Sequence, residues 1–362
     1  MKYIDEYRDP DLVRKLAVKI AGSIKRKWSI MEICGGQTHA IMKYNLPELL
    51  PPEITLIHGP GCPVCVTPLE KIDKALVLAS SEGTILASFG DMMRVPGSSS
   101  DLLKAKAEGA DVRIVYSPLD ALKIAISNPD RNVVFFAIGF ETTAPANALA
   151  LIQAARLELT NFFLLSSHVL VPPAIHTILS SDDTLIDGLL APGHVCTVTG
   201  YGDYIDLANK FNLPISVTGF EPIDILHGIL TTVQMLESGL HEVKNCYSRS
   251  VNSKGNLHAL KAMYDAFEVC DRQWRGIGLI PGSGLDIRDK YSAFDAEKHF
   301  PINNMISKEP EICIAGEVLR GISRPSDCPA FGISCTPEHP LGAPMVSSEG
   351  ACAAYYHYKL LH

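Results

Sequence analysis

The sequence predicts an α/β protein: two Rossmann-like lobes with small parallel sheets, then a C-terminal, mainly helical and irregular domain. Three observations predict it. Short apolar runs alternate with helix-period segments from about residue 28 to 222, which is the pattern of βαβ units. The runs are apolar throughout, as strands covered on both faces are, in a chain that is 47% apolar and 20% charged, with a mean hydropathy of +0.13. After about residue 222 the alternation stops, and a long helical segment leads into polar and then Gly/Pro-rich sequence. At 362 residues the chain exceeds one ordinary core and suggests two or three domains.

The elements follow in order. Asp9-Pro10 supplies a helix cap and a proline at the first helical position. Leu12, Val13, Leu16, Ile20 and Ile24 then recur at helical spacing, giving an N-terminal helix within 9–27. Strands are expected at 29–33, 54–57, 84–89, 112–116, 133–138, 162–166, 195–198 and 215–218. Helices between them are expected at 68–81, 101–108, 118–128, 144–157 and 201–211, with later ones at 221–237 and 257–269. Chain contiguity places the four strands from 54 to 138 in lobe I (52–140). The other four belong to lobe II (28–51 and 141–222), and 223–362 forms the C-terminal domain. The N-terminal helix packs on that domain or on lobe II.

Forty acidic against 32 basic residues leave a net charge of −8, which disfavours nucleic acid as a partner. No apolar stretch reaches the roughly 18–20 residues of a membrane span. The polar start has no signal-peptide core, so the expectation is a cytoplasmic protein. Ten cysteines in that setting read as reduced thiols, metal ligands or catalytic groups.

Polar, glycine-containing motifs follow one apolar run after another, and in open parallel sheets ligands bind beyond the carboxyl ends of the strands. Two motifs stand out. Cys34-Gly35-Gly36-Gln37-Thr38-His39 and Gly59-Pro60-Gly61-Cys62-Pro63-Val64-Cys65 place three thiols and a histidine between residues 34 and 65. Cys62-x-x-Cys65 reads as a redox dithiol or half a metal site, against inert buried thiols. Cys34 with His39 reads as a nucleophile pair, or as one soft metal ligand with His39 as acid, base or support. Asp91 and Arg94 suit an ion pair, or Arg94 holds an anionic ligand through its fork of donors. Glu141 suits a helix cap or a ligand-cleft residue. His58 and His168 at strand ends are as readily structural as functional. Near the C-terminus Cys313, Cys328, Cys335 and Cys352 offer four thiols, with an iron–sulfur cluster ahead of zinc. Cys196, Cys246 and Cys270 read as small core hydrophobes.

Five segments together resemble the signatures of the HypD family of [NiFe]-hydrogenase maturation factors. They are Met31–His39, Gly59–Pro68, Phe89–Gly97, Gly139–Pro145 and Met345–Cys352, within a likeness spanning about 29–358. The resemblance implies a scaffold that, with a small HypC-type chaperone, holds the iron on which an Fe(CN)2CO group is assembled. It implies cyanide delivered by HypE and a product passed to the hydrogenase large subunit. Carried over, Cys34 is the iron thiol, Cys62 and Cys65 are a redox-active or iron-binding pair, and Cys313, Cys328, Cys335 and Cys352 hold a [4Fe–4S] cluster. Some relatives carry cysteine where this chain has Ala315 and Pro344, so Cys313 is the ligand least supported by the likeness. The implied role is assembly with redox activity rather than conventional turnover. The competing reading is a thiol–disulfide oxidoreductase dependent on a ferredoxin-type cluster. A weaker third is a cluster-bearing lyase or transferase.

Overall fold

The computed structural model describes residues 4–182, 184–302 and 307–359. Among the described residues eleven strands build two sheets: β1 Trp28–Glu32, β2 Ile54–His58, β3 Thr84–Ser88, β4 Val112–Ile114, β5 Asn132–Gly139, β6 Phe162–Val169, β7 Gly188–Pro192, β8 Ile215–Thr218, β9 Val243–Asn245, β10 Phe267–Trp274 and β11 Gly278–Ile287. The first sheet has the order β2-β1-β7-β8-β9 and is parallel throughout. The second has the order β10-β11-β6-β5-β3-β4. It is parallel from β6 to β4, with an antiparallel β10–β11 hairpin on its other edge. The α/β class and the two Rossmann-like sheets are those the sequence predicts.

Strand membership differs from the expectation. β2 pairs with β1 in full register, Trp28 opposite Ile54 to Glu32 opposite His58, so it lies in the sheet of β7 and β8. β6 pairs with β5 over seven residues and lies in the other sheet. The reason is local: β1–helix–β2 and β5–helix–β6 are each one crossover unit, and strands joined by one crossover usually stay in one sheet. The expected grouping cut through both units.

Three further differences have physical causes. The run 195–198 is not a strand but part of the helix Gly193–Thr199, which buries Val195 and Cys196 on one face. The strand is the preceding apolar run, β7. The helix expected over 257–269 ends at Ala266, and β10 begins at Phe267. The Gly/Pro-rich stretch that follows is β11, made possible by the tight turn at Gly276, whose φ of 77° suits glycine. Finally, the short β9 extends the first sheet beyond residue 222.

The N-terminal helix is Pro10–Ser23, capped by the Asp9 carboxylate, which accepts from the amides of Asp11 and Leu12. It packs on the long helix Pro222–Ser238, which covers β7 and β8, so it belongs with the first sheet. Ile20, Ile30, Ile41, Ile225 and Ile229 share that core. A larger core, including Met31, Phe136 and Phe163, fills the space between the two sheets and takes in Cys62 and Cys65. Among the described residues no helix is long and apolar enough to cross a membrane.

Candidate functional site

Four loops converge beyond the carboxyl ends of the first sheet: those after β1, β2, β7 and β8. β1 ends on Glu32, an acid in a fully buried position. Its carboxylate is satisfied by its surroundings. Oε2 accepts from the Cys34 amide at 2.8 Å. Oε1 accepts from His58 Nδ1 at 2.7 Å and from the Thr38 hydroxyl. One buried carboxylate thus ties β1, β2 and the following helix together, as buried polar groups require.

Cys34 is the cap residue of the helix Gly35–Lys43 and is buried. The two cysteine motifs cross here. The Gly35 amide donates to Gly61 O at 2.8 Å, and the Gly59 amide to Glu32 O at 2.8 Å. A Cβ on Gly61 would overlap the Cys34 backbone, and one on Gly35 would overlap Glu349. These glycines are required by close approach. The Cys34 sulfur faces His194 Nδ1 at 3.6 Å, and His194 meets Phe220 edge-on at 5.2 Å. Burial pushes the Cys34 thiol well up, helped by Glu32 and Glu349 and opposed by the amides of Gln37 and Gly36. Burial holds His194 down at about 4, so its imidazole is neutral near pH 7.

His39 lies elsewhere. Its Nδ1 meets Ser348 O at 3.3 Å and its ring meets Tyr358 edge-on. The imidazole beside Cys34 is His194, a residue sequence reasoning missed. The signal was Pro192-Gly193-His194 after an apolar run, hidden by placing the strand one loop too late. Glu32 was equally legible as an acid inside an apolar strand. Gln37 donates to Ala191 O and Thr218 O, holding the helix Gly35–Lys43 to the ends of β7 and β8.

Cys62 and Cys65 form a disulfide, so neither offers a thiolate in this state. They sit at the start of the short helix Pro63–Val66. That helix packs against the turn Ala343–Met345. Pro344 and Met345 of the turn line a cavity walled by all four C-terminal cysteines, Cys313, Cys328, Cys335 and Cys352. Burial raises the Cys352 and Cys313 thiols, and the other cysteines add to both shifts. Four converging thiols with Val318, Phe331 and Met345 around them fit the donor set and apolar surroundings of a [4Fe–4S] cluster. Ala315 lines the same cavity. Among the described residues no group of three or more His, Cys, Asp or Glu side chains is placed to hold a metal ion.

The segment 345–352 joins these places. Met345 and Cys352 line the cysteine cavity, Ser348 meets His39, and Glu349 backs Gly35. The Ser347 hydroxyl donates to Asp91 at 2.7 Å. Arg94 donates instead to Pro337 O at 3.2 Å, so Asp91 and Arg94 turn to different partners. Glu141 does not cap the helix beginning at Ala144. Its Oε1 accepts from the Val171 amide at 2.9 Å, capping the helix Val171–Leu179, because the loops after β5 and β6 lie side by side. His168 is buried between Asn147 and Ser166 and held down at about 3 by burial and Arg272.

Comparison with known proteins agrees over nearly the whole chain. A family described as "HypD: Hydrogenase formation hypA family" matches residues 11–359. The chain is 48% identical to "Hydrogenase maturation factor HypD" of Azotobacter vinelandii over 99% of this chain and 97% of that one. It is 49% identical to the protein of that name from Rhizobium leguminosarum bv. viciae, over 99% and 96%. With the Escherichia coli (strain K12) protein it shares 47% identity over 99% and 98%.

Proposed function

Because the chain belongs to the HypD family of hydrogenase maturation factors, we propose that it is the scaffold on which the iron group of [NiFe] hydrogenase is assembled, with Cys34 as the iron thiol. The observation that carries this reading is the buried Cys34 sulfur at a helix start, 3.6 Å from His194. A thiol held protonated by burial is a poor free nucleophile. A metal cation reverses that preference, because it binds the thiolate and releases the proton. The neutral imidazole of His194 is placed to accept the thiol's hydrogen bond, and the released proton goes to solvent. The Gln37 and Gly36 amides then face the sulfur, and a helix N-terminus favours the anionic charge of a cyanide-bearing iron.

The incoming iron is cargo, shared with a small HypC-type chaperone, and its cyanide comes from HypE. The hydrogenase large subunit receives the finished Fe(CN)2CO group. Cys313, Cys328, Cys335 and Cys352 would hold a [4Fe–4S] cluster that supplies one-electron redox chemistry when bound. The disulfide helix Pro63–Val66 lies between that cavity and Cys34, packed on the turn Ala343–Met345 on one side and continuous with Gly61 on the other. This order suits Cys62 and Cys65 as the dithiol–disulfide pair of the site. A thiol–disulfide oxidoreductase would share that pair and the cluster, but has no use for a shielded third thiol beside a neutral histidine.

The test is anaerobic copurification with the small chaperone followed by infrared spectroscopy. Cyanide and CO stretching bands are expected from the wild type and are expected to vanish in Cys34→Ala. Bands that persist in Cys34→Ala, or are missing from wild type, overturn the assignment.

A further inference from the structure

A separate cavity of about 450 Å³ opens between the helical layers of the two sheets. One wall is the helix Val171–Leu179, which follows β6, and the other is the helix Gly202–Phe211, which precedes β8. Leu170, Pro172 and Leu207 give it apolar surface. Glu141 lines it with a side chain only 2% exposed. One carboxyl oxygen caps the helix Val171–Leu179, and the other, Oε2, is buried with no partner. A buried acceptor in that state is costly, and a ligand that donates to it removes the cost.

The rest of the lining says which donor. Asp203 and Asp206 stand on the facing helix and are both exposed at the cavity. The lysine in the lining, Lys210, already meets His176 Nε2 at 2.5 Å. Two exposed aspartates against one lysine leave the cavity acidic on balance even where Glu141 keeps its proton, which repels anions and attracts cations. The absence of any three-ligand metal cluster among the described residues leaves an organic cation as the fit. We infer that this cavity binds an ammonium, amidinium or guanidinium group on an apolar stem, with an N–H donor completing Glu141 Oε2 and the positive charge held by Asp203 and Asp206. The occupant would touch both sheets' helices at once.

Two probes of one shape and opposite charge test it: benzamidine and benzoate, titrated calorimetrically into the purified chain. Benzamidinium is expected to bind at least about ten-fold more tightly than benzoate. The double variant Asp203→Asn, Asp206→Asn should weaken benzamidinium by about ten-fold or more at unchanged melting temperature, both side chains being exposed. Glu141→Gln, which keeps an acceptor for the Val171 amide, should weaken it as well. Equal affinity for the two probes, or benzamidinium binding unmoved by the double variant, overturns the proposal. Native mass spectrometry separates the sources. An amine retained by wild type and lost by the double variant supports a free small molecule. If benzamidine displaces the bound chaperone and the double variant loses it, the source is a partner's Lys or Arg side chain; this arm rests on the partner reading above. Neither result, with chaperone binding to wild type intact, overturns the cavity as a site the protein uses.

Discussion

Cys34 and the four C-terminal cysteines present the same atom in opposite settings. Cys34 is placed by regular structure: β1 before it, a nine-residue helix after it, and its amide fixed by the Glu32 carboxylate. Cys313 and Cys328 flank short helical pieces, Cys335 forms an isolated bridge with Phe331, and Cys352 alone lies in the longer helix Ala351–Lys359. Their links are short-range, such as the Gly332 amide to Cys335 O at 3.0 Å and the Cys328 amide to Pro325 O at 3.2 Å. The difference teaches where each site draws its order. On the proposed function, iron would meet a finished site at Cys34, whereas a cluster at the C-terminal cysteines would contribute to the folding free energy of the segment that holds it.

Five substitutions, one of them a control, test this contrast. The largest effect is expected from Cys34→Ala. Hydrogenase maturation in a complementation assay should fall by about 100-fold or more, as for loss of a metal ligand, while the melting temperature moves by less than about 4 °C. A protein that unfolds instead breaks the claim that the site is finished without iron. Cys352→Ser comes next. Hydrogen exchange should show protection lost across 307–359 and kept in β1, β5 and β6. Uniform loss in both sheets would erase the distinction.

Gly61→Ala probes the crossing of the two motifs. The added methyl overlaps the Cys34 backbone, so stability should fall by about 3 kcal/mol in denaturant unfolding. Gly22→Ala, with nothing within 4 Å of the new carbon, should be neutral or slightly stabilising and serves as the control. The smallest effect concerns Glu141, whose Oε2 is buried without a partner while Oε1 accepts from the Val171 amide. Burial raises its carboxyl to about 7 from 4.5. The folded state therefore keeps a proton that the unfolded state releases between these values. The stabilisation is full below pH 4.5 and is lost as pH rises through 7. Relative to Glu141→Gln, wild type should lose on the order of 2 kcal/mol between pH 4.5 and 8. Parallel pH curves for the two proteins would sink the assignment of this shift to burial.

Much of this was legible in the chain. Alternation of apolar runs with helical periods is a local property, so the α/β class and most elements followed from it. Cys34, Cys62 and Cys65 were legible because cysteine inside glycine-rich breaks is poor core filling. The pairing of β2 with β1 was misjudged, since pairing is decided by crossover geometry and not by which strands are contiguous. His194 was missed through a strand placed a few residues late. His39, closer to Cys34 in sequence, turns to Ser348 because a helix carries residues five apart to different directions.

Residue types and their spacing in the chain fix the fold class, the family and the chemistry available: soft thiols, glycines for close approach, and few alternatives to either. Only the tertiary structure decided which imidazole faces Cys34, that Glu32 binds three elements together, and that the disulfide helix packs on the turn lining the C-terminal cysteines. Each is a contact between segments from 26 to about 280 residues apart. Such contacts arise from how strands order within a sheet and how two sheets stack, which no local pattern in the chain encodes.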